Sequence, residues 1–170
     1  MIKDTIKSLR ETIGQSNTGH LPLSCRVGLM KQIGNVLTVQ KIQCECCKKA
    51  CSFIGMQNPD NVRLLTKING HLSGNRELAE DILVETDKLR LYVENNPGMD
   101  TLVSWATVML GYDVHYGGTS MLETEDYHGE DDDDFDPECW EPDIIVSLIS
   151  SAASSGAVDD KYDPEKRRVI

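Results

Sequence analysis

Apolar residues in this chain return every third or fourth position, in almost every segment long enough to test. Leu78, Ile82, Leu89 and Val93, with Glu85 or Thr86 between them, hold that spacing from about residue 75 to 94. Ile2, Ile6, Leu9 and Ile13 do the same ahead of Gly14. Such a period lines side chains along one face of an α-helix, whereas a half-buried strand needs strict alternation, and no convincing run of that kind is present. The expected fold class is therefore all-α. With 170 residues the chain can fill one well-packed core and is short for two, so residues 1–170 are expected to form a single-domain bundle.

Breakers divide the pattern into six to eight helices. After the loop GQSNTGH, a second helix is expected past Ser24 through Val27, Met30, Ile33 and Leu37. Gly34-Asn35 weakens it, which suggests a break before a third helix over about 39–54. Asn58-Pro59-Asp60 is a strong start signal: a capping residue, proline in the first turn and an acid behind it. Val62, Leu65, Ile68 and Leu72 follow until Ser73-Gly74. Asn95-Asn96-Pro97-Gly98 stops the next helix, and Asp100 is placed to cap one running through Leu102, Trp105, Ala106, Met109 and Tyr112 toward Gly117-Gly118. Residues 119–141 have few apolar positions and no period, and are expected to be a long acidic loop. Helical spacing resumes over 142–156, and Asp163-Pro164-Glu165 is expected to open a last helix with only about two turns before Ile170.

Charge narrows the class of partner. The formal total is −11 but unevenly spread: residues 1–75 hold ten Lys and Arg against four Asp and Glu, and residues 76–170 hold seven against 24. Nucleic acid and anionic membranes are thus poor partners, and the acidic half is suited to something basic. The N-terminus is charged throughout without the apolar core of a signal peptide, and no run is long enough to span a bilayer. A cytoplasmic location with six reduced cysteines follows as the expectation.

Three groupings could carry chemistry. In QCECCKKAC, Cys44, Cys47 and Cys51 share one helix face and Cys46 points roughly opposite. Three thiols with Cys25, Cys139 or a histidine as a fourth ligand would suit zinc, but the two separated pairs of a zinc ribbon are missing, and small apolar thiols lining a core explain the spacing better. Glu125 and His128 make one Glu-x-x-His, where a di-iron bundle needs two with further glutamates. His20, His71 and His115 read as loop or helix-end residues. Asp132, Asp134 and Asp136 alternate as in an EF-hand, yet Pro137 and Asp143 stand where glycine and glutamate are required. No phosphate-binding loop, nucleophile elbow or zinc-protease motif occurs. The residues make no case for an enzyme, a metal or a cofactor.

The stretch GEDDDDFDPECWEPD, residues 129–143, remains. From Thr119 to Asp143 there are twelve acids and no Lys or Arg. Such a block repels itself and is mobile when isolated, which fits Glu130 to Asp134. Phe135, Cys139 and Trp140 follow directly, and large aromatics favour burial, so the acid run is expected to be tethered there and displayed on one side. Its partner-facing residues would be Glu130, Asp131, Asp132, Asp133, Asp134, Asp136, Glu138 and Trp140, the carboxylates steering a cationic partner and Trp140 anchoring it.

Two blocks carry a family resemblance. ECCKKACSFIGMQNPDNVRLLTKINGHLSG resembles a segment of the all-helical immunity proteins of bacterial polymorphic toxin and contact-dependent inhibition systems, with Cys46, Pro59, Asp60 and Arg63 in the matching places. WEPDIIVSLISSAASSGAVDDKYDPEKRR, from Trp140 to Arg168, resembles the closing helices of that family. The resemblance implies a cytoplasmic, non-catalytic protein that binds and blocks a cognate toxin, in which an acidic surface would suit a nuclease with a basic cleft. Two readings compete with it: an acidic helical adaptor or regulator of basic partners, and a metal-dependent helical enzyme built on Glu125, His128 and the cysteines. Oligomeric state is left open.

Overall fold

The computed structural model describes residues 2–16, 32–54, 58–96 and 101–116, together with Cys25, Gly28 and Leu29. Among them are one 3-10 turn, no strand and five α-helices whose bounds are described: α1 (Ile2–Gln15), α2 (Val36–Ile54), α3 (Pro59–Leu72), the turn Arg76–Leu78, α4 (Ala79–Asn95) and α5 (Thr101–Tyr116). Cys25, Gly28, Leu29, Gln32 and Ile33 are helical as well, where the second helix is expected, its other residues before Gly34 lying outside the described ones. The helices expected over 142–156 and from Asp163, and the acidic loop at 119–141, lie outside the described residues.

Local chemistry sets the boundaries. Gly34 takes φ 58, a left-handed conformation that breaks the chain ahead of α2. Asn35 then caps α2 through its Oδ1, which accepts from the Thr38 amide at 2.9 Å, so the helix starts three residues earlier than the periodicity suggests. Asn58 caps α3 in the same manner, its Oδ1 accepting from Asp60 N at 2.9 Å and more weakly from Asn61 N at 3.4 Å, with Pro59 at the first helical position. Gly74, at φ 114, ends α3 and lets the chain reverse into the turn before α4.

The core forms where α5 packs against α2, α3 and α4. Helix α5 carries a single charged residue, Asp113, and Val103, Ala106, Val108, Met109 and Leu110 are buried over most of its circumference. A helix apolar on nearly all sides belongs at the centre of a bundle. Leu64, Leu65, Ile68 and Leu72 meet it from α3, and Ile82, Leu89 and Val93 from α4. Each fully buried Leu or Ile adds roughly 2 kcal/mol of transfer free energy. Helices α4 and α5 approach closely at Gly111, where the Thr86 side chain fills the space a Cβ would take.

Two expectations are corrected in detail. Val62 is exposed rather than part of the α3 stripe, which runs instead through Asn61, Leu64, Leu65, Ile68 and Leu72. On α1, Ile6 is exposed and Leu9 and Ile13 are half-buried. Cys46 does not face straight outward, being half-buried at the margin of the core.

Candidate partner-facing surface

The cysteine face is core. Cys44, Cys47 and Cys51 point inward from α2, and Cys51 Sγ accepts from Asn61 Nδ2 at 3.1 Å. Burial pushes the Cys44 thiol up to about 11 and moves Cys47 well above its ordinary value. Cys51 also rises to about 11, burial outweighing the Asn61 hydrogen bond. Thiols so held stay protonated near neutral pH and are poor nucleophiles in that state. Among the described residues, no three His, Cys, Asp or Glu side chains gather as a metal site. The Glu125–His128 pair lies outside the described residues, as does His20. His71 and His115 fall in the last turns of α3 and α5, as helix-end residues, with His115 Nδ1 3.2 Å from the Ala79 carbonyl.

Two buried polar clusters lock the helices together. Glu85, whose side chain is only 8% exposed, sits where α4 meets α3, with Arg63 Nη1 at 3.1 Å, Lys67 Nζ at 3.4 Å and Lys88 Nζ at 3.5 Å. Burial alone would raise its pKa, but the Arg63 hydrogen bond and the charges of Lys88 and Lys67 outweigh it and hold the carboxyl below its ordinary range. Lys67 also reaches Asp81 at 3.0 Å. Between α2 and α5, Gln40 Nε2 donates to Asp113 Oδ2 at 2.7 Å. Burial raises the Asp113 pKa, with Gln40 pulling the other way. The periodicity left Glu85 and Thr86 as alternatives for one core position, and both are buried: the carboxylate is tolerated because three cations surround it.

None of the sequence-predicted contact residues, Glu130, Asp131, Asp132, Asp133, Asp134, Asp136, Glu138 and Trp140, lies within the described residues. The described part does reveal where the charge resides. It holds eleven Lys and Arg and eleven Asp and Glu, so the whole net charge of −11 comes from sequence outside it. The same helical body presents two unlike faces. The outer side of α2 is net basic, with Lys41, Lys48 and Lys49 against Glu45 around a shallow hollow that also includes Ile42 and Cys46, Lys48 pairing with Glu45 at 2.7 Å. The outer side of α4 carries Val84, Leu91 and Tyr92 exposed among acids. No helix among the described residues is long and apolar enough to cross a membrane.

The described residues thus form a small helical bundle with buried thiols, ion pairs that join its helices and exposed charged helix faces. The family model of Immunity protein Imm5 matches residues 6–169, nearly the entire chain, and the chain belongs to that immunity-protein family. No curated protein and no solved structure matches it. Membership implies a toxin as the partner.

Proposed function

We propose that this protein neutralises one cognate toxin by direct binding without catalysis, and that the toxin is a nuclease whose basic cleft receives the acid-rich sequence from Glu130 to Trp140. One observation carries the charge argument: the described body is balanced, while residues 119–143 hold twelve acids and no cation. Carboxylates so concentrated occupy phosphate-binding positions on a basic protein and accelerate encounter with it. The protein acts in the cytoplasm, where such a nuclease meets its substrate.

A growth-rescue screen identifies the toxin as the host protein whose lethality this chain relieves on co-expression. Combined replacement of Asp131, Asp132, Asp133 and Asp134 by Asn is expected to slow association about tenfold and to flatten its salt dependence. If that variant protects and binds like the wild type at physiological salt, the acid run is not the inhibitory face.

A further inference from the structure

Helix α4 has a complete inner face and an unexplained outer one. Ile82, Glu85, Thr86, Leu89 and Val93 are buried against α3 and α5. At about 100° per residue, the direction opposite that stripe falls on Val84 and Leu91, some 10 Å apart along the axis. Each is 52% exposed. A valine and a leucine at the most solvent-directed positions of a helix add little to packing in the described body, and helix propensity does not demand a valine there. Glu80, Asp87 and Glu94 run beside them, also at seven-residue steps, so the outer surface reads acid, valine, acid, leucine, acid over about four turns. Two cations share this side of α4: Lys88, 56% exposed, reaches Glu85 at 3.5 Å, and Arg90 pairs with Glu94 at 2.9 Å, so Glu80 and Asp87 carry the unneutralised acid of the face.

The occupant follows from charge. Across a two-fold between antiparallel copies of α4, the Glu80, Asp87 and Glu94 row would face its own kind, which disfavours a second copy. The α2 face also exposes apolar residues, Leu37 and Ile42, but its lysines would repel a basic partner. The Tyr112 hydroxyl donates to Asp87 Oδ1 and His115 Nδ1 lies 3.2 Å from the Ala79 carbonyl, tying the end of α5 to the first half of α4. The surface is also rigid, since α4 is held by the Glu85 ion pairs on one side and by the Thr86–Gly111 approach on the other, which lowers the ordering cost of binding.

We infer that the outer face of α4, Val84 and Leu91 flanked by Glu80, Asp87 and Glu94, is a docking surface for the basic toxin, taking a segment that sets apolar side chains between its lysines and arginines. The inference rests on the toxin reading above and adds to it a short-range apolar contact, which an acid run steering from a distance does not provide.

The probe is the toxin found by growth rescue, inactivated at its catalytic residue and titrated calorimetrically with the full chain. The Val84→Ser/Leu91→Ser pair is expected to bind at least about tenfold more weakly, with an unchanged salt slope. Circular dichroism and the urea midpoint check its fold, and the milder Leu91→Gln should weaken binding in the same direction. The Asp131 to Asp134 replacement should instead change the salt slope. Affinity of the Val84/Leu91 variant within twofold of wild type overturns this surface and leaves the toxin reading standing. A wild-type chain that binds no toxin defeats the toxin reading itself, and this surface with it. Wild-type self-association in sedimentation velocity that Leu91→Gln abolishes assigns the face to a second copy and also overturns the inference.

Discussion

Replacing Gly111 by alanine tests the packing of this bundle at its tightest point. A Cβ there would lie 3.1 Å from Thr86 Cγ2 and 3.2 Å from Thr86 Cβ, with Thr86 Oγ1 closer still. Rotating the threonine cannot clear the Cβ contact, because that atom is fixed to the α4 backbone. Nor can Oγ1 move freely, since it donates to the Ile82 carbonyl at 2.7 Å inside the core. Helices α4 and α5 must therefore separate by a few tenths of an ångström, or the hydroxyl must give up its hydrogen bond. Overpacking costs about 1–3 kcal/mol and the hydrogen bond about 1 kcal/mol, against about 1 kcal/mol gained from replacing glycine within a helix. The net expectation is a loss of about 2 kcal/mol, or roughly 4–8 °C in Tm for a chain of this size. Urea unfolding followed by circular dichroism measures it. Gly14→Ala serves as the control, because nothing lies within 4 Å of a Cβ at that position; it should be neutral or slightly stabilising. Gly111→Ala combined with Thr86→Ala should recover much of the loss, with a coupling of about 1 kcal/mol. A Gly111→Ala protein as stable as the wild type would refute the close α4–α5 contact.

Glu85→Gln should lower stability by about 1–2 kcal/mol at pH 7, because Arg63 and Lys67 lose the carboxylate they share. The folded Glu85 pKa is held below its ordinary 4.5, so its contribution is complete above that value and fades as pH falls through the lower folded one. Urea midpoints of the two proteins should thus converge in acid, and a gap that persists unchanged at pH 2 contradicts the ion-pair account. Asp113→Asn should behave oppositely. The Asp113 pKa is raised by burial, so its charged form costs stability at neutral pH and that cost disappears on acidification. The variant keeps an acceptor for Gln40 and should match or exceed the wild type by about 1 kcal/mol at pH 7, the advantage shrinking toward pH 3; a clear loss at pH 7 would argue against the buried-carboxylate reading. Disulfide-exchange reagents at pH 8 should modify Cys47 only at the rate of unfolding, since the thiol is fully buried. Rapid labelling of Cys47 in the native protein would contradict that burial.

Much of the fold is legible in the residues because helix signals are local. Asn58-Pro59-Asp60 is a complete start signal, requiring only the few residues that follow, and α3 begins there. The spacing of Ile82, Leu89 and Val93 identifies the buried face of α4, whose expected first member Leu78 falls in the 3-10 turn ahead of it, and Cys44, Cys47 and Cys51 identify that of α2. Periodicity does not say which helix lies at the centre. That role falls to α5, whose apolar composition on nearly every side reflects contact with three neighbours and leaves no one-sided stripe to read.

The candidate surface divides in the same way. The sequence by itself determined that the chain is helical, that its net charge gathers in the acid-rich region following α5, and that its thiols have the spacing of a core. Only the tertiary structure decided that Glu85 is buried among three cations, that Gly111 is needed to bring α4 against α5, and that Val84 and Leu91 remain outside. A helical period states that two faces differ, but which is covered depends on the neighbours that fold against it. Those neighbours come from residues distant along the chain, where no local pattern reaches.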